Sequence, residues 1–284
     1  MKNAIEVKNL TKSFSGFTLK DLTFTLPEGA ILGLIGENGA GKSTTIKLLL
    51  HALEADSGSA SVLNCDVKDP AYAALKNRIG VVLDEAYFPE VLTARQVGKV
   101  LRHAYSDWQD ADYEAYLNRF SLPDDKMFRN YSRGMKMKLA IAAALSHKPQ
   151  LLILDEATAG LDPLVRDEIV DLFYEFTRDP SHSILISSHI ISDLEKLCDY
   201  VAFLHKGNLL FCEEKDALLD RYCVVHADEA ALRALPNSAI KGIRKNPYGS
   251  EILLYAEDVP ASLTAERPTL EKLILLLSKG DAAK

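Results

Sequence analysis

The chain has 284 residues, 48% hydrophobic and 26% charged, which excludes a disordered or fibrous polymer and allows one large domain or two smaller ones. Its 40 acidic and 33 basic side chains leave a formal charge of −7, which removes any general electrostatic case for nucleic acid as a partner. The longest apolar runs, Leu139–Leu145 and Leu273–Leu277, fall well short of a membrane-spanning helix, and Met1–Lys12 lacks a secretory core.

Ile5–Leu10 and Leu19–Leu26 alternate apolar and polar side chains, as half-buried strands do. Pro27-Glu28-Gly29 is a turn, and Ala30–Ile35 is an apolar run suited to a buried strand. A glycine-rich loop then precedes a helix expected over about 42–53, which Asp56-Ser57-Gly58 breaks. Ile79–Leu83, Leu151–Leu154 and Ser183–Ser187 are further compact apolar runs. Strands alternating with helices predict an α/β fold with a largely parallel sheet covered on both faces.

Between Ile79 and Leu151 the pattern turns helical. Val97, Val100, Leu101, Ala104 and Tyr105 recur at spacings of three and four, as do Leu139, Ala142, Ala143 and Ser146 before Pro149 stops the run. The lone Trp108 falls here and is expected in a core. This stretch reads as a helical insert, about 86–150, within a domain spanning 1–220. A small α+β unit is expected over 221–284: strands near Tyr222–His226, Ile240–Arg244 and Glu251–Tyr255, and helices at Glu229–Leu235 and Leu270–Ser278. The last helix carries Leu270, Leu273, Ile274, Leu276 and Leu277, a stripe too wide to leave in water. It should cover its own small sheet, or else meet a second copy of the chain or another subunit. Cys65, Cys198, Cys212 and Cys223 lack paired spacing and read as free, buried thiols of a soluble protein in a reducing compartment.

Residues 36–44, Gly36-Glu37-Asn38-Gly39-Ala40-Gly41-Lys42-Ser43-Thr44, match the phosphate-loop pattern G-x-x-x-x-G-K-[ST] in its required context, strand before and helix after. The glycines let consecutive N–H groups point inward at phosphate oxygens, and the helix adds its positive dipole end. Lys42 would reach the β- and γ-phosphates and Ser43 would ligate Mg²⁺. Leu151–Leu154 leads into Asp155-Glu156, a buried strand ending in two carboxylates. Asp155 can hold Mg²⁺ through its water shell, and Glu156 can take a proton from water attacking the γ-phosphate.

With these motifs in order, the sequence resembles the ATP-binding subunits of ABC transporters from Ala4 to about Tyr222, which implies the RecA-like phosphate-loop fold with a helical subdomain. Tyr131-Ser132-Arg133-Gly134-Met135 stands where the family signature Leu-Ser-Gly-Gly-Gln would be. Ala159-Gly160-Leu161-Asp162 resembles the D-loop, His189 the switch histidine, and Phe14 the aromatic residue that stacks on adenine. The resemblance implies a head-to-tail dimer with ATP between the phosphate loop of one subunit and Ser132 and Gly134 of the other. His189 would contact the γ-phosphate and hold the attacking water with Glu156. Ser192-Asp193-Leu194-Glu195 reads as a capping box for the next helix.

Four positions depart from the family pattern. The glutamine that contacts Mg²⁺ and the transmembrane partner falls on Asp84, whose carboxylate can also supply an oxygen ligand. Arg133 and Met135 replace the central glycine and terminal glutamine of the signature, and Phe14 replaces tyrosine. The resemblance implies an ATPase that drives separate transmembrane permease subunits and is held in the cytoplasm on the inner face of the membrane by them. Within the family, the pattern is similar to the bacterial group serving type-2 exporters of antibiotics, peptides or toxins. Asp84–Pro89, with Tyr87 and Phe88, would receive a helix from the partner, and the membrane subunit is the other subunit that the apolar stripe of the last helix would meet. A soluble ABC ATPase uncoupled from transport is the alternative, although the chain has neither the coiled-coil insertions nor the second cassette of such relatives.

Overall fold

The computed structural model describes residues 2–84, 88–246 and 249–280. Strand β1 (Asn3–Phe14) pairs antiparallel with β2 (Phe17–Pro27), Phe14 lying opposite Phe17. A register shift between Leu10 and Lys12 inverts the alternation, so Leu19 and Leu22, of opposite parity, both point inward. In β3 (Ile31–Gly36) every residue is buried, and the strand feeds directly into the glycine-rich loop and α1 (Lys42–Leu49). That helix stops short of the expected end, and His51 follows at φ 50°.

Strand β4 (Ser57–Val62) returns antiparallel along β1, and β5 (Cys65–Asp66) closes a sheet of order β2-β1-β4-β5. Ser-Gly-Ser-Ala-Ser-Val has no strand periodicity, and its pairing with β1 imposes the conformation. Gly58, at φ 81°, sits so close to β1 that an added Cβ would lie 2.3 Å from the Asn9 carbonyl oxygen. The short helix α2 (Tyr72–Leu75) then leads to β6 (Ile79–Val82).

Three helices follow: α3 (Ala94–Ala104), α4 (Asp110–Arg119) and α5 (Arg133–Leu145). Thr93 and Gln96 form a capping box at α3, and Ser132 caps α5. Ala94 and Val97 face the core, but Val100 is 56% exposed, one position off the apolar stripe. Trp108 is buried beside Tyr113, its indole Nε1 donating to Asp110 Oδ1 at 2.9 Å.

The central sheet is completed by β7 (Leu151–Asp155), α6 (Pro163–Phe176), β8 (Ser183–Ser188), α7 (Ile191–Leu197), β9 (Tyr200–His205) and β10 (Asn208–Glu214). Its order is β10-β9-β3-β8-β7-β6, parallel except for β10 on β9. Burial on both faces explains the unbroken apolar runs of β3, β7 and β8. Ser192 does not cap α7, because the helix already begins at Ile191. Ser188 Oγ instead accepts from the Ile190 N–H at 2.9 Å.

Helix α8 (Lys215–Arg221) leads into a second antiparallel sheet built from β11 (Tyr222–Ala227), β12 (Gly242–Asn246), β13 (Gly249–Tyr255) and β14 (Ala265–Glu266), with α9 (Glu229–Ala234) after its first strand. Helix α10 (Leu270–Gly280) lies against β12 and β13 and also against α7. Leu270, Leu273, Ile274 and Leu276 share one core with Leu194 and Leu197 of α7, so the stripe covers both its own sheet and the central unit. The Leu270 N–H donates to Glu195 Oε1 at 3.2 Å. The four cysteines are free, and only Cys198 is fully buried. No described helix is long and apolar enough to cross a membrane.

Candidate active site

Strands β3, β8 and β7 are neighbours in parallel register, so their carboxyl ends place three polar segments along one sheet edge. The glycine-rich loop leaves β3, Asp155-Glu156 leaves β7, and His189 leaves β8. Gly41 caps α1 at φ 113°, where a Cβ would lie 2.8 Å from Leu19 Cδ1 and 3.2 Å from Phe17 Cζ. No side chain caps α1, so its first N–H groups remain directed at the loop, as an anion site requires. Gly36 and Ala40 are buried, whereas Glu37, Asn38, Gly39 and Ser43 are exposed and Thr44 is half-buried.

Lys42 is buried at 5% exposure. Its Nζ donates to the Gly36 carbonyl at 2.8 Å and lies 3.1 Å from Glu156 Oε1. The other oxygen of that carboxylate, Oε2, lies 2.7 Å from His189 Nδ1. Glu156 is also one of the few non-glycine residues in the left-handed region, at φ 53°. That conformation costs on the order of 1–3 kcal/mol and is fixed by its surroundings. The Glu156 N–H donates to the Ser187 carbonyl at 3.1 Å, and the Glu156 carbonyl accepts from Ala159 N–H at 3.0 Å.

Asp155 is buried, and one of its oxygens accepts from the Ser187 hydroxyl. Its second oxygen and the Ser43 hydroxyl are hard donors of the kind Mg²⁺ takes, so the residues present fit that ion. Phe14 is 43% exposed at the end of β1 and stacks on Phe17, the ring that abuts Gly41.

The remaining expected site residues lie away from this cluster. Among the described residues, Ser132, Gly134, Asp162 and Asp84 make no hydrogen bond to the phosphate loop. Ser132 Oγ accepts from Met135 N–H at 3.3 Å, and Asp162 Oδ1 accepts from Val165 N–H at 3.1 Å. A Cβ on Gly134 would meet only Leu161 Cδ2, at 3.9 Å, so this helix start faces open space. Asp84 Oδ1 lies 3.5 Å from Arg133 Nη2, the two departures from the signature and glutamine patterns having come together. Tyr87 lies outside the described residues; Phe88 packs edge-on against Phe128, ring centres 5.5 Å apart. Ser187 and Phe17 escaped the sequence reading. A serine pair directly before His189 is the one local hint for the former.

Residues 19–159 match the protein-family model described as ABC transporter. The uncharacterized ABC transporter ATP-binding protein YhcH of Bacillus subtilis is 33% identical, over 92% of this chain and 87% of its own length. Linearmycin resistance ATP-binding protein LnrL of Bacillus subtilis is 33% identical over 92% of this chain and 85% of its own. Bacitracin transport ATP-binding protein BcrA of Enterococcus faecalis is 33% identical over 74% and 69%, respectively. A solved structure described as the ATP binding subunit of an ABC transporter matches with TM-score 0.69 and 30% identity, covering 76% of this chain and 91% of that one.

Proposed function

Since the chain belongs to the ATP-binding subunits of ABC transporters, we propose that it hydrolyses ATP at a composite dimer site and thereby drives separate transmembrane permease subunits in export. The observation that carries the catalytic part is the Lys42–Glu156–His189 chain of contacts behind the phosphate loop.

Loop N–H groups and Lys42 would bind the β- and γ-phosphates, and Phe14 would stack on adenine. Ser43 and Asp155 would hold Mg²⁺, which neutralises phosphate charge. Glu156 would accept the proton of a water whose oxygen forms the new bond to the γ-phosphorus while the bond to the bridging oxygen breaks, releasing ADP and phosphate. Both Glu156 oxygens are engaged in this structure, so the base acts once Lys42 has moved to the phosphate.

The N-terminus of α5 supports the composite site: the Ser132 cap takes only the Met135 N–H, and the space at Gly134 is open, so Ser132 and the Arg133 and Gly134 N–H groups can meet a γ-phosphate carried by a second chain. Asp162 would lie at the same interface. The export reading rests on relatives named for bacitracin transport, linearmycin resistance and lantibiotic transport. We assign residues 1–220 to the ATPase domain, about 86–150 to its helical subdomain and 221–284 to an accessory unit. The chain would sit on the cytoplasmic face of the membrane through its permease.

The test is Gly134→Asp, which puts a carboxylate where a polyanionic nucleotide must approach. ATP affinity of the single chain should stay within about 2-fold while dimerisation and hydrolysis collapse. Mixing this variant with Lys42→Ala chains leaves one intact composite site per mixed dimer, so ATPase activity should partly return. Normal hydrolysis by Gly134→Asp alone would remove the composite site from the mechanism.

A further inference from the structure

Arg133, at the first position of α5, touches two chain segments outside its own helix, one just beyond β6 and one in the turn after Glu156. Its Nη2 lies 3.5 Å from Asp84 Oδ1, just beyond β6. Its guanidinium also lies flat against Gly160, in the turn between β7 and α6: a Cβ there would lie 2.8 Å from Nη1 and 2.9 Å from Cζ. Gly160, at φ 69°, leaves room for that side chain because it carries no Cβ. Through Arg133 both segments meet α5, which is capped by Ser132 and carries Gly134 in its first turn.

We propose that Arg133 is a positioning residue, anchored by Asp84, that straps the first turn of α5 and the turn at Gly160 to the end of the central sheet. Residue 84 and residue 133 then act as one unit: a carboxylate at the first suits an arginine at the second, and neither has its role without the other. The side chains are 54% and 59% exposed, so the contact adds little to stability. Its contribution is a fixed place for the α5 N-terminus relative to Glu156, with the planar guanidinium filling a slot that a flexible ammonium would fill less well. An effect on turnover rests on the composite-site reading above; the coupling between the two residues does not.

A double-mutant cycle tests the strap. Asp84→Asn removes a charge at nearly constant volume, and Arg133→Gln removes one with little change in helix propensity. Each should lower kcat about 10-fold and leave KM for ATP within about 2-fold, because the phosphate loop is untouched. The double variant should match the single variants within about 2-fold, since the strap is already gone in each. Arg133→Lys keeps the charge but loses the planar group, so its kcat should fall between the parent and Arg133→Gln. Rising salt should lower the parent's kcat toward that of the single variants, which should themselves respond little.

Multiplying effects, about 100-fold in the double variant, would show two independent roles and overturn the proposal. So would a raised KM with unchanged kcat, or single variants as active as the parent. Failure of the composite site is read separately, from normal hydrolysis by Gly134→Asp.

Discussion

Lys42 Nζ lies 3.1 Å from Glu156 Oε1, so the cation of the phosphate loop and the carboxylate at the end of β7 neutralise each other inside the protein. Both are buried, at 5% and 8% exposure. A γ-phosphate carries more negative charge than one carboxylate and should draw the ammonium away. In the proposed mechanism, arrival of nucleotide and release of the base are then a single event.

Lys42→Ala should weaken ATP binding by at least about 100-fold, read by isothermal titration calorimetry. It also strands the Glu156 charge, so the chain should lose up to about 3 kcal/mol of stability in urea unfolding. Adding Glu156→Gln should return most of that stability and none of the binding. Near-normal ATP affinity of the alanine variant would count against the assigned loop.

Glu156→Gln alone should keep ATP affinity and slow phosphate release by about 10²–10⁴-fold, the range for a lost general base. The ATP-loaded variant should elute as a dimer in size-exclusion chromatography. Hydrolysis at the parent rate would move the base elsewhere.

The C-terminal helix offers a test of linkage between the C-terminal sheet and the central unit. Leu273 has no exposed surface and packs in the core that contains Leu194 and Leu197. Leu273→Ala should cost about 2–5 kcal/mol, with ATP affinity unchanged. A chain ending at Tyr222 should still bind Mg²⁺ and ATP, but should aggregate more readily because α7 is uncovered. If such a truncation is folded yet does not bind ATP, residues beyond 222 help to build the site.

His147 supplies the pH dependence. The ring is 1% exposed, stacks 4.0 Å from Tyr105, and has Nε2 3.2 Å from the Ile79 carbonyl oxygen. Burial lowers its pKa below the ordinary value of 6.5. As pH falls, the unfolded chain therefore takes up the proton first, and the stability that is complete above the unfolded pKa drains away toward the lower folded one. Unfolding followed between pH 7 and pH 5 should show a slope of up to about 1.4 kcal/mol per pH unit from this group. His147→Asn, less stable at neutral pH, should have a correspondingly flatter profile.

Local signals revealed the segments of the site but not their contacts. The loop 36–44 and the pair Asp155-Glu156 follow unbroken apolar strands, and burial on both faces of the central sheet produces such runs. β4 was not legible because its small polar residues become a strand only through pairing with β1. The mutual engagement of Lys42, Glu156 and His189 depends on the neighbour relations of β3, β8 and β7, which are set by the crossovers and by no single motif. The Asp84–Arg133 contact joins residues that each looked like an isolated departure from a pattern. The capping-box reading of Ser192 failed for a simpler reason: the helix begins two residues earlier, at Ile191, with Ile190 at its N-cap and no side-chain cap.

Trp108 is the sole tryptophan of the chain. It sits among α3, α4 and α5, 9% exposed, with its indole N–H held by Asp110. Excitation at the red edge of the absorption band will therefore sample one helical layer and leave all three sheets dark. Any shift in emission on adding nucleotide must report a rearrangement around that ring, so the chain carries its own optical gauge of how far an event at the phosphate loop reaches.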